Sequence, residues 1–347
     1  MISVRKRIEF LDLCRIIAVI SVFAGHKFYG ELTRISDCPS NHIIFRDIVE
    51  FLKPICYEGG FGVVLFFCVS GYIIRYVLEI ENWREFLIKR IFRIFPLYWA
   101  AVLIWYFLTP HVSRPPVNNL IIQLSLFGDF FNVPYALNWV EWTLRIEILF
   151  YILLGTAKAA GLFNQKSIWL IVILFGISLI LFILPAWPAN KSWSQGYVSI
   201  YSPFLFVGVY FREFEKGSIS KSLLIVLGLL TILMYCYTIQ TIQPNWINQR
   251  FSVLGVLVFS LFYWKRLKIT LPAWAMLLSE LTYGLYLFHN WIYDYFCKIL
   301  SKSQFPRFFS LIALILFCYA LNRLIEKPGI IIGRIIIRRL NKFTLNA

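Results

Sequence analysis

Apolar runs of about 20 residues recur along nearly the whole of this 347-residue chain, and they restrict what it can fold into. A bilayer offers no partner to an unpaired backbone amide, so a chain built this way spans as helices. Hydrophobic residues make up 59% and aromatic residues 18% of the chain, with a mean hydropathy of +0.71. Soluble domains rarely have such a composition. Spans are predicted at 8–30, 59–79, 92–109, 138–157, 167–184, 197–211, 222–238, 251–264, 273–297 and 306–325. The expected fold is therefore all-α and polytopic, with about ten transmembrane helices. The longest polar segments are 31–58 and roughly 239–250, and no repeat or separate soluble domain is visible. The segment 119–132 is apolar but short and carries Gly128 and Asp129, so it reads as interfacial or re-entrant. Arg5-Lys6-Arg7 resembles the start of a signal peptide, but the span that follows has charges and no small-residue cleavage site, so it reads as retained.

The net charge of +16 encodes topology rather than nucleic-acid binding. With the N-terminus inside, inner loops collect nineteen Lys and Arg against nine in the outer loops. Both termini are then cytoplasmic. The chain divides into an integral membrane domain, 1–330, and a short basic cytoplasmic tail, 331–347, which is expected to lie against anionic membrane lipid. The seven cysteines show no metal-binding spacing, so no metal is expected. Cys38 and Cys56 both fall in the first outer loop and could pair in an oxidising compartment.

Chemistry-bearing residues interrupt these spans. Arg15 and His26 lie eleven residues apart in the first one. On a helix that spacing puts them on one face, roughly 16 Å apart along the axis, with Asp12 on the same side. Ionisable groups at such depth usually face a bundle interior or a watery path. Arg75 ends the second span, and Arg90 and Arg93 open the third, all at the depth of Arg15. Guanidinium groups fork onto phosphate oxygens, so these four arginines read as a cradle for a phosphorylated ligand, although single inner arginines also serve as lipid anchors. Glu147 reads either as the partner of Arg145 in a packing ion pair or as a carboxylate lining the cavity of His26. His289 lies at a depth like that of His26, and a lone membrane histidine is often only a helix–helix hydrogen-bond partner. Trp139, Trp142 and Trp193 could stack on sugar rings, but an interfacial aromatic belt is the favoured reading.

Six segments in order carry a family resemblance. They are Leu11-Asp12 with Arg15 and His26, residues 66–72 (Phe-Phe-Cys-Val-Ser-Gly-Tyr), and the Arg90, Arg93, Pro96, Tyr98 pattern. They continue with Trp142-Thr143-Leu144 before Glu147, residues 283–289 (Tyr-Gly-Leu-Tyr-Leu-Phe-His), and Glu326-Lys327-Pro328. The chain resembles acyltransferase family 3, integral membrane enzymes that O-acylate cell-surface carbohydrates, over almost its whole length. Thr143 stands where serine is usual, and Cys14 and Cys68 replace common aliphatic residues. Many members carry a further extracytoplasmic domain. This chain stops about twenty residues after its last expected span and so resembles the stand-alone type.

The resemblance implies acyl-CoA as donor substrate rather than a bound cofactor, with His26 essential, in the plasma (bacterial inner) membrane. On that reading Arg75, Arg90 and Arg93 hold the donor phosphates, and the pantetheine arm passes Arg15 and Asp12 to reach His26. A carbohydrate acceptor enters from outside. His26 acts as general base or accepts the acyl group itself. Glu147 orients the ring or holds the acceptor, Ser70, Tyr286 or His289 steadies the oxyanion, and Tyr98 belongs to the supporting motif. Acetyl is the default acyl group, and the first outer loop and the loop at 110–137 are expected to carry acceptor specificity. A transporter or flippase would show similar polar stripes, and a non-catalytic scaffold or sensor is a third class. The absence of an internal repeat speaks against the transporter, and the intact His26 against the scaffold.

Overall fold

The computed structural model describes residues 7–163, 168–189 and 195–345; Arg5, Lys6, Lys166, Lys191 and Trp193 lie outside them. Every regular element among the described residues is helical. In order they are α1 (Glu9–Lys27), α2 (Tyr29–Asp37), α3 (Ile43–Cys56), α4 (Gly60–Ile80), α5 (Trp83–Leu108), α6 (Val117–Leu124), α7 (Glu141–Ala159) and α8 (Ile168–Ile183). There follow α9 (Tyr197–Tyr201), α10 (Pro203–Glu215), α11 (Lys221–Ile242), α12 (Leu254–Trp264), α13 (Ala273–Phe288), α14 (Ile292–Ile299), α15 (Pro306–Leu321) and α16 (Lys327–Leu345).

Each predicted span has a helical counterpart, yet among the described residues four stretches are long and apolar enough to cross a membrane: Ile43–Ile80, Trp83–Leu108, Lys221–Ile242 and Pro306–Lys342. The others are interrupted, shorter or charged. The span at 197–211 breaks between α9 and α10 at Ser202-Pro203, and the one at 273–297 breaks between α13 and α14. Helix α1 carries Glu9, Asp12 and Arg15, and α7 carries Glu141, Arg145 and Glu147.

The polar segment 31–58 is no open loop. It folds as α2 and α3, and α3 turns Ile44, Phe45, Ile48, Phe51 and Leu52 outward. Arg307 at the start of α15 binds Glu31 on α2 and holds that carboxyl below its usual range. Cys38 and Cys56, which the sequence left open as a pair, are separate free thiols in this structure. Segment 119–132 forms no spanning helix: short α6 and a tight turn at Gly128–Phe131 fold back on α5, where Tyr98 donates to the Gln123 carbonyl at 2.6 Å. Residues 331–345 of the expected tail belong to α16, whose Gly329 and Gly333 pack on Pro96 and Phe92 of α5.

Helix α4 is the centre of the bundle, packed against α1, α10 and α12. Its crossing with α10 depends on glycine. A Cβ on Gly71 would strike the Leu205 carbonyl, and one on Gly208 the Cys68 carbonyl. Small residues at such a crossing let backbones approach, which is how helices gain packing where lipid removes the hydrophobic drive.

Candidate active site

Two chambers lie inside the bundle, and Val63 and Tyr286 border both. The larger, of about 610 Å³, is lined by Arg7 just before α1, by Asp12 and Arg15 on α1, by Arg90 and Arg93 on α5, and by Lys327 and Arg334 on α16. Asp12 organises its α1 wall. It accepts from Arg7 Nε at 2.6 Å and from Ser279 Oγ at 2.6 Å, and lies 3.5 Å from Arg15. Arg90 packs its guanidinium over Phe86, and its buried Nε has no hydrogen-bond partner among the described residues. Glu147 and Glu326 add two carboxylates to this basic wall. Ser70 donates to Glu147 at 2.6 Å, and Asn322 to Glu326 at 2.9 Å.

The smaller chamber, of about 400 Å³, is lined by His26, Glu58, Asn138, Trp139, Trp142, Tyr201, Gln249 and Asn290. Two indoles beside four amide or carboxylate side chains suit a sugar, which presents apolar faces and a rim of hydroxyls. His26 opens onto this space, whereas His289 behind it is 1% exposed. His26 Nδ1 meets His289 Nε2 at 2.7 Å, and His26 Nε2 meets the Glu58 carbonyl at 3.1 Å. The break after α13 is tied to the end of α1 next to the rings: Lys27 donates to the Asn290 carbonyl at 2.7 Å and to Asp294 at 2.8 Å. Tyr286 stands at the boundary between chambers, its hydroxyl 2.8 Å from Thr143 Oγ1.

The structure brings together Asp12, Arg15, Arg90, Arg93, Ser70 and Glu147, and it also joins His26 to His289. Several expectations change. Arg75 is not in the cradle: it is buried on the opposite face of α4, bound to Glu213 and 3.4 Å from Glu79. Glu147 lines the arginine chamber and not the His26 chamber, so neither it nor Ser70 contacts the imidazole. Glu147 is not turned toward Arg145 either; Arg145 is fully buried, with its Nε on the Leu126 carbonyl. Tyr98 borders neither chamber and braces α5 against the 119–132 segment. In sequence Arg7 and Arg334 read only as topology charges and Lys327 as a topology charge within the closing motif, and Glu58, Gln249, Asn138 and Asn290 give no signal, because their convergence is tertiary. Trp139 and Trp142 line the smaller chamber.

A membrane helical bundle with a basic chamber against a histidine chamber has the layout of a two-substrate site. Residues 8–323 match the family described as an acyltransferase domain, and the chain belongs to that family. An O-acetyl transferase of Shigella phage Sf6 is 25% identical over 202 residues, covering 51% of this chain and 56%, little more than half, of the phage protein. No solved structure matches.

Proposed function

We propose that this protein is a multi-pass plasma-membrane O-acyltransferase that moves an acyl group, acetyl by default, from cytoplasmic acyl-CoA to a hydroxyl of a surface or lipid-linked carbohydrate. The observation that carries the reading is the meeting of the two chambers at Val63 and Tyr286. Acyl-CoA brings phosphates and a thin pantetheine arm. The phosphates seat among Arg15, Arg90 and Arg93, with Arg7, Lys327 and Arg334 at the mouth, as charge-assisted hydrogen bonds favour. The arm extends past Tyr286 and brings the thioester toward His26. The sugar occupies the other chamber, against Trp139 and Trp142.

His26 acts as general base on the acceptor hydroxyl. An imidazole suits the role because its ordinary pKa is near neutral. Glu147, on the donor side with Ser70, shapes the passage and balances the arginines rather than orienting the ring.

Purified protein in detergent, given acetyl-CoA and a panel of bacterial glycans, is expected to release free thiol faster with one class of glycan than without it. Net movement of glycan or acyl-CoA across vesicles, unchanged chemically and with no thiol released, would replace this reading with transport.

A further inference from the structure

The two imidazoles form a line with acceptors at both ends. His289 Nδ1 lies 2.6 Å from the Tyr286 carbonyl, His289 Nε2 lies 2.7 Å from His26 Nδ1, and His26 Nε2 lies 3.1 Å from the Glu58 carbonyl. An N···N contact of 2.7 Å along a 4.9 Å centroid line leaves room only for the two ring radii, and the rings are 20° from coplanar. They therefore meet edge to edge, as an N–H···N bond requires.

Counting protons gives the direction of the line. A carbonyl only accepts, so the 2.6 Å contact to Tyr286 places a proton on His289 Nδ1. In a neutral ring that leaves His289 Nε2 as a lone pair, which accepts from His26 Nδ1–H. His26 Nε2 then carries no proton. The contact given up is the longest of the three, the 3.1 Å approach to Glu58, and the freed lone pair belongs to the ring that is open to the chamber.

We infer that His289 is a positioning residue that fixes His26 in the tautomer whose Nε2 is the base for the acceptor hydroxyl. This rests on the proposed acyl transfer. In that reaction the hydroxyl proton passes to Nε2 as its oxygen bonds to the thioester carbon. The carbon–sulfur bond then breaks, and the departing thiolate takes the proton from Nε2. Throughout, Nδ1–H stays on His26 and His289 Nε2 stabilises the passing imidazolium, while the buried Tyr286 carbonyl holds His289 in register. This replaces the oxyanion role expected for His289, which sits behind the base.

Glutamine carries an acceptor near the place of an imidazole Nε2, leucine carries none, and asparagine reaches the Tyr286 carbonyl but not His26. His26→Ala, His289→Leu, His289→Gln and His289→Asn are compared with the parent in detergent, with kcat and the KM for acetyl-CoA measured on a responsive glycan. His289→Leu is expected to lose at least about 100-fold in kcat with an unchanged donor KM, and His289→Gln to recover to within about tenfold of the parent. Parental kcat in His289→Leu, with His26→Ala inactive, overturns the inference and leaves the proposed function standing. An active His26→Ala removes the reading beneath it. Where His289→Leu does not fold, His289→Asn as active as His289→Gln is the overturning result.

Discussion

Two arginines at one depth have different work. Arg90 reaches the larger chamber, and its buried Nε has no partner among the described residues, whereas Arg75 sits on the far face of α4 against Glu213. Arg90→Gln is expected to raise the acetyl-CoA KM by about 10–100-fold, the equivalent of one charge-assisted hydrogen bond of ~1.5–3 kcal/mol. Arg75→Leu strands the buried Glu213 and is expected to cost about 3–5 kcal/mol, read as a lower melting temperature in detergent, with the donor KM of the folded fraction unchanged. Equal donor KM effects from the two would undo this assignment. The sequence reading placed Arg75 by depth alone. Azimuth was also available: Arg75 is five residues after Ser70, about 140° around the helix, and Phe66, Ser70, Ile73 and Val77 share the chamber face. The same argument separates Arg145 from Glu147, two residues and about 200° apart.

Helix ends place the two histidines. His26 lies in the last turn of α1 and His289 just beyond α13, so the pair exists because two helices stop at one level. The Glu58 turn closes the third side, and Gly25 lets α1 approach it: a Cβ there would strike the Cys56 carbonyl and stand 2.6 Å from the Gly59 nitrogen. Gly25→Ala is expected to push that turn off His26, costing on the order of 1–3 kcal/mol in stability and lowering kcat more than donor affinity; a thermal melt paired with kinetics checks both. The long apolar helices were legible as runs of twenty. The break at 289–291 was not, because neither glycine nor proline marks it. Helix α3 was hidden by its charges, although Ile44, Ile48 and Phe51 with Leu52 mark one outward stripe.

Across the bundle, the proposed acyl path is a passage between two chambers. The polar stripe Asp12–Arg15–His26 on α1 was legible as one face, and α1 does run from the arginine chamber to the histidine chamber. Nothing in the stripe revealed the partition, since Val63 and Tyr286 come from α4 and α13. Val63→Trp is expected to fill the junction, abolishing acetyl transfer while acetyl-CoA still binds, as a binding assay on the purified variant would read. Unchanged turnover in that variant would mean the donor reaches His26 by another path.

On the proposed reading, acyl transfer runs through His26 where the chambers meet. The most direct test follows radiolabelled acetyl from acetyl-CoA into bacterial glycan with the parent protein and with His26→Ala, both shown to be monodisperse by size-exclusion chromatography. The account predicts labelled glycan from the parent and background label from a well-folded His26→Ala. Equal labelling by the two would contradict it.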